Sequence, residues 1–176
     1  MNLNNKIETK IIFLPKNIQL YKKGNKILLI AKDMYLLLVL PVNIKLIKNN
    51  KNLLIKFNLS QSNLCAWFIF LKNLIVGLSR AYNARLYLNG VGYKVYSEET
   101  NLSLKLGYSH IVNYLIMQPT QFNIYKNSII QLSSPLKNDL GLISSTLRKL
   151  KKKDVYKGKG ILFEREKITL KTGKQA

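Results

Sequence analysis

The feature that most constrains this chain is a pattern that occurs twice. Leu64, Trp67, Leu71 and Leu74 fall at three- and four-residue steps, and Leu140, Ile143, Leu147 and Leu150 repeat them 76 residues later. That spacing puts each set on one face of a helix. Phe68, Ile75, Leu78 and Tyr82 extend the first stripe, while Lys72, Asn73, Ser79 and Arg80 fall away from it. Ser145, Arg148, Lys149 and Lys152 fall away from the second. Ser60 or Ser62 is the expected N-cap of the first helix, and Pro135 after Ser134 marks the approach to the second.

The segments before each stripe have strand periodicity. Leu102, Leu104 and Leu106 alternate with Asn101, Ser103 and Lys105. Ile44 and Leu46 alternate with Asn43 and Lys45, and Phe122 and Ile124 with Asn123 and Tyr125. Gln19–Tyr21 and Lys26–Ile30 flank a turn at Gly24-Asn25. Leu28 and Ile30 lie 76 residues before Leu104 and Leu106; Pro41 lies 78 before Pro119. Ile44 and Leu46 then fall on Phe122 and Ile124, and Lys48-Asn49 on Lys126-Asn127. A helix stripe, a strand and a proline-led strand repeated in one order predict a duplicated unit of strands followed by a helix. The expected class is α+β, with each unit a small, mainly antiparallel sheet covered by one helix. The expected domains are 1–82 and 83–176, the second opening with a strand Ala84–Leu88. The longest apolar runs, Leu36–Leu40 and Leu64–Leu71, suit a buried strand and a buried helix and are far short of a membrane span.

Charge restricts the partner. Among 176 residues, 29 are Lys or Arg and 8 are Asp or Glu, a net charge of +21. A compact domain with that imbalance repels itself unless a polyanion neutralises it, and nucleic acid is the usual one. At 47% hydrophobic the chain is too apolar for a disordered basic tail. Lysine dominates, since the arginines are only Arg80, Arg85, Arg148 and Arg165. Abundant Lys, Asn, Ile, Leu and Tyr with little Ala reflect AT-rich codons, as in mitochondria and plastids. Met1–Lys10 is polar and lacks the features of an import peptide, which suits synthesis inside the organelle.

Chemistry is poorly provided for. Cys65 and His110 are the sole residues of their types, which excludes an internal disulfide and gives metal or triad chemistry little to work with. His110 is expected to be a loop residue, and Glu98-Glu99 a solvated turn. No catalytic residue, metal site or cofactor is expected. Gly158-Lys159 and Gly173-Lys174 lack the rest of a nucleotide-triphosphate loop, and Gly90-Val91-Gly92 lacks the third glycine of a dinucleotide fingerprint.

The strongest local signal is Tyr156-Lys157-Gly158-Lys159-Gly160-Ile161. Glycines let a backbone approach a ligand, exposed N–H groups and lysines bind phosphate, and tyrosine offers a face to a base or ribose. From Arg148 onward there are eleven basic residues against Asp154, Glu164 and Glu166. Cations at the end of a helix suit its dipole, but Lys151, Lys152 and Lys153 exceed that need and are candidate phosphate contacts.

Five segments resemble a known family. Leu74–Val95 (LIVGLSRAYNARLYLNGVGYKV) is similar to the segment joining the two domains of ribosomal large-subunit protein six. Leu106–Val112 (LGYSHIV) resembles that family's second-domain turn, and Asp154–Ile161 (DVYKGKGI) its C-terminal signature, with Lys153 where proline or serine is usual. Leu14-Pro15-Lys16 and Lys23-Gly24-Asn25-Lys26 resemble its opening strands. The resemblance implies two tandem αβ domains and a structural, non-enzymatic role in the large ribosomal subunit, here mitochondrial. It implies that the second domain binds large-subunit ribosomal RNA near the sarcin–ricin region and the stalk base, beside neighbouring ribosomal proteins. Carried over, Tyr156, Lys157, Gly158, Lys159 and Gly160 are the RNA contacts, with Arg148, Lys151, Lys152, Lys153 and Lys174 in support. The competing readings are an organellar RNA-processing or RNA-chaperone protein and a peripheral membrane protein held by basic charge.

Overall fold

A computed structural model describes residues 7–31, 34–41, 44–49, 52–58 and 63–173. The chain divides into two compact units, Met1–Arg80 and Ala81–Ala176.

The first unit contains β1 (Ile7–Phe13), β2 (Ile18–Lys23), β3 (Lys26–Ala31), β4 (Met34–Val39), β5 (Ile44–Asn49), β6 (Asn52–Asn58) and α1 (Asn63–Ser79). Its strands form two antiparallel sheets, ordered β2-β3-β4 and β1-β6-β5. The expected turn at Gly24-Asn25 joins β2 to β3, with Lys23 paired to Lys26. Along α1, Leu71, Leu74 and Ile75 are buried, as the stripe requires. The expected caps Ser60 and Ser62, and Asn43 in the alternation before β5, lie outside the described residues.

Two expectations change here. Leu36–Leu40 is not a strand buried on both faces: Tyr35, Leu37 and Val39 are exposed and alternate with half-buried Met34, Leu36 and Leu38. β4 edges a three-stranded sheet whose packed face alone is covered, so an apolar run does not mean two-sided burial. Tyr82 does not extend the helix stripe. α1 ends at Ser79, and Tyr82 opens the next strand, opposite Ser134.

The second unit repeats the order. It contains β7 (Tyr82–Asn89), β8 (Lys94–Glu98), β9 (Asn101–Lys105), β10 (Val112–Leu115), β11 (Gln121–Tyr125), β12 (Ile129–Ser134), α2 (Lys137–Leu150) and an added β13 (Gly160–Phe163). Its sheets are β10-β9-β8 and β11-β12-β7-β13. The α+β class and the tandem duplication therefore stand, with two small sheets per unit rather than one. α2 contacts β7, β12 and β13. Leu140 and Leu147 of α2 join Leu86, Leu104, Leu132 and Ile161 in one buried core.

The repeat is offset from the sequence reading in one strand. The β8–β9 turn, Glu99-Thr100, follows a Glu98–Asn101 pair, as Gly24-Asn25 follows Lys23–Lys26. Gly24 and Glu99, first in each turn, have φ of 58° and 49°. The hairpins therefore superpose at a shift of 75, not 76. Ile27, Leu29 and Ala31 are buried and match buried Leu102, Leu104 and Leu106. Because side chains alternate faces, the shift of 76 matches half-buried Leu28 and Ile30 to buried Leu104 and Leu106, a slip of one residue.

Candidate nucleic-acid interface

α2 delivers Arg148 and Lys149 in its last turn, and the chain then leaves through Lys151 toward β13. The segment between is held by its own backbone. Ile161 N–H donates to Lys151 O (3.0 Å), Asp154 N–H to Lys159 O (2.7 Å) and Gly158 N–H to Asp154 O (2.9 Å). Asp154 Oδ1 accepts from Tyr156 N–H (2.9 Å), and Asn89 Nδ2 donates to Gly158 O (2.9 Å). Lys171 N–H donates to Val155 O (3.0 Å), which lays the following chain against the loop. Six hydrogen bonds brace this short loop from within the fold.

The glycines serve that shape. Gly158 and Gly160 are both buried. Gly158 has φ 68°, and its N–H is already committed to Asp154. Gly160 has φ 142°, and an ideal Cβ there would lie 2.7 Å from Lys153 Cα and 2.8 Å from Lys152 O. The loop and the segment after α2 touch backbone to backbone, and only glycine fits between them.

The cations sort into two groups. Lys149, Lys152, Lys157 and Lys159 are exposed, as is Tyr156. Lys151, Lys153 and Arg148 are engaged within the fold. Lys151 Nζ lies 4.1 Å from the centre of the Tyr108 ring, and Tyr108 Oη donates to Leu150 O (3.0 Å). Glu166 Oε1 accepts from Lys153 Nζ (2.6 Å) and from the Arg148 guanidinium, which also lies 5.4 Å from the Phe163 ring centre. The Lys153 hydrogen bond holds the Glu166 carboxyl below the usual carboxylate range, with help from the Phe163 N–H and the Arg148 charge. Glu166 thus fixes two cations, Arg148 and Lys153. Lys174 lies outside the described residues.

Seven cations from Arg148 to Lys159 face two carboxylates, Asp154 and Glu166. Between the end of α2 and the loop lies an open depression of about 390 Å³, lined by Ser145, Arg148, Lys149, Lys152 and Lys153. Such a surface attracts phosphate and offers Tyr156 as an exposed flat face. Glu166 and Tyr108 were missed in the sequence reading. Their partners lie 18 and 42 residues away, and no local pattern marks such pairs. His110 stacks beside Tyr108 at 6.3 Å and is exposed, as a loop residue. Among the described residues, no group of three His, Cys, Asp or Glu could hold a metal ion, and no helix is long and apolar enough to cross a membrane.

No family model matches the chain. Individual proteins do, along nearly its whole length. It is 30% identical over 173 residues to large ribosomal subunit protein uL6 of Syntrophus aciditrophicus, covering 96% of this chain and 97% of that one. It is 31% identical over 173 residues to large ribosomal subunit protein uL6c of Porphyra purpurea, covering 96% of each. The chain belongs to the uL6 family. Large ribosomal subunit protein uL6 of Mycoplasma genitalium adds a match at 33% over 151 residues, 77% of this chain. Membership in uL6 makes the chain a structural constituent of the large ribosomal subunit and not an enzyme, so the RNA-processing alternative falls.

Proposed function

We propose that this uL6 chain binds large-subunit ribosomal RNA with the second unit, through the end of α2 and the loop 151–159. The carrying observation is the prearranged loop itself. Backbone bonds and buried glycines hold Lys157, Lys159 and Tyr156 outward beside Lys152, so ordering them on RNA costs little entropy. Lys152, Lys157 and Lys159 contact phosphates, and Tyr156 stacks on a base or ribose. Arg148, Lys151 and Lys153 supply field and shape, and Gly158 and Gly160 set the turn. The RNA is read by shape and backbone, not by base sequence. The resemblance of 154–161 to the family's C-terminal signature supports a position near the sarcin–ricin region and the stalk base, next to neighbouring ribosomal proteins.

The test is charge reversal. The double variant Lys157→Glu/Lys159→Glu keeps the loop's backbone bonds but lowers incorporation into large subunits, read by co-sedimentation in sucrose gradients. Incorporation equal to the unchanged chain would remove the loop from the RNA interface.

The residue usage of an AT-rich genome supports mitochondrial encoding. Translation in isolated mitochondria, with cytosolic ribosomes inhibited, is expected to label the chain. Labelling only in plastids or cytosol would overturn that placement.

A further inference from the structure

The opposite end of α2 carries a different surface. Asp139 and Arg148 are nine residues apart, roughly 14 Å along a helix. Near Asp139, an open apolar groove of about 550 Å³ lies between α2 and the end of β10 with the chain that follows it. Leu115, Met117 and Leu142 line it and are 52%, 71% and 68% exposed, and Ile143 forms part of its wall. Asp139 is the groove's sole charged residue.

The duplication supplies an internal control. At the helical shift of 76, Leu142 corresponds to Ala66 and Asp139 to Asn63. The large exposed apolar group and the carboxylate are therefore not demanded by the fold.

We infer that this groove docks a basic, apolar peptide segment of a neighbouring protein in the large subunit. An apolar side chain fills the space between Met117 and Leu142, and a Lys or Arg meets Asp139. Charge complementarity selects this occupant. RNA would bring phosphates to a carboxylate on an apolar wall, and a second copy would bring another +21. The inference rests on membership of the large subunit, but not on RNA contact by the loop 151–159.

The test uses the full chain in assembled large subunits. A benzophenone amino acid replaces Leu142, and in a second variant Met117; the subunits are irradiated and cross-links are mapped by mass spectrometry. The expected product joins the groove to a protein segment that combines an apolar side chain with Lys or Arg. Adding Asp139→Lys lowers its yield about fivefold or more, the scale of a lost ion pair, while co-sedimentation is kept. Cross-links to RNA, to an acidic segment or to a second copy overturn the inference, as does no product from either position or a yield indifferent to Asp139→Lys. If the unsubstituted chain fails to co-sediment, the ribosomal placement fails first. If it co-sediments and cross-linking fails, only the groove reading falls.

Discussion

A methyl group at position 160 would lie within 3 Å of three backbone atoms of Lys152 and Lys153. At position 158 the nearest atom would be Leu170 Cδ2, at 3.4 Å, the movable end of a side chain. Gly160→Ala is therefore expected to lower stability by about 2 kcal/mol or more, and Gly158→Ala by about 1 kcal/mol, from its positive φ alone. Urea unfolding of the two variants checks the order; equal effects would mean the close approach at 160 is easily relieved. Glu166 gives a pH prediction. Its folded pKa is lowered, so its contribution is present above the usual carboxylate range. As pH falls, the unfolded chain takes up the proton first, and the contribution is lost by the time pH has passed through the folded pKa. Glu166→Gln should cost about 1–3 kcal/mol at pH 7, from two charge-assisted bonds, and much less at pH 3. A cost independent of pH would show that the pair is not what Glu166 contributes.

The hairpin offset is a statement about single elements. Leu29, 1% exposed, is the counterpart of Leu104, whereas Leu28 is half-buried on the other face. Leu29→Ala is expected to cost about 2–5 kcal/mol, and Leu28→Ala distinctly less. Trp67, the single tryptophan, lies in the same unit and reports the unfolding. The reverse order would restore the shift of 76. Both helices were legible because a 3.6-residue stripe comes from geometry within the helix, and Leu71 and Leu147 are buried where the stripes put them. The strands around Phe122 and Ile124 were legible for the same local reason. Which face of β3 meets the core was not, since Ile27–Ala31 is apolar on both faces. Only pairing across the Gly24-Asn25 turn decides it. The added strand β13 was hidden too. Gly160–Phe163 becomes a strand only through its pairing with Leu86–Asn89.

At the scale of the molecule, net charge sets how affinity responds to salt. Three phosphate contacts, from exposed Lys152, Lys157 and Lys159, predict a plot of log affinity for large-subunit RNA against log salt with a slope of about −2 to −3. The Lys157→Glu/Lys159→Glu variant should flatten it by about 1.5 or more. A slope near zero would mean that charge is not the driving term. The duplicated architecture also separates roles. The same order of strands and helix is built twice, yet the cationic loop follows α2, and the groove near Asp139 has Ala66 and Asn63 at the matching positions of the first copy.

What the chain's order of residues determined alone was local or summed: periodicity placed helices and strands, repetition revealed two copies, and an excess of lysine called for a polyanion. Each depends on near neighbours or on a total, so no folded coordinates were needed. Tertiary structure decided what depends on distant partners. It put Glu166 under Arg148 and Lys153, and Tyr108 under Lys151. It also turned Gly158 and Gly160 inward as packing elements of a loop whose lysines face out. The physical reason is that burial and ion pairing are set by which segments meet in space, and composition does not encode that meeting.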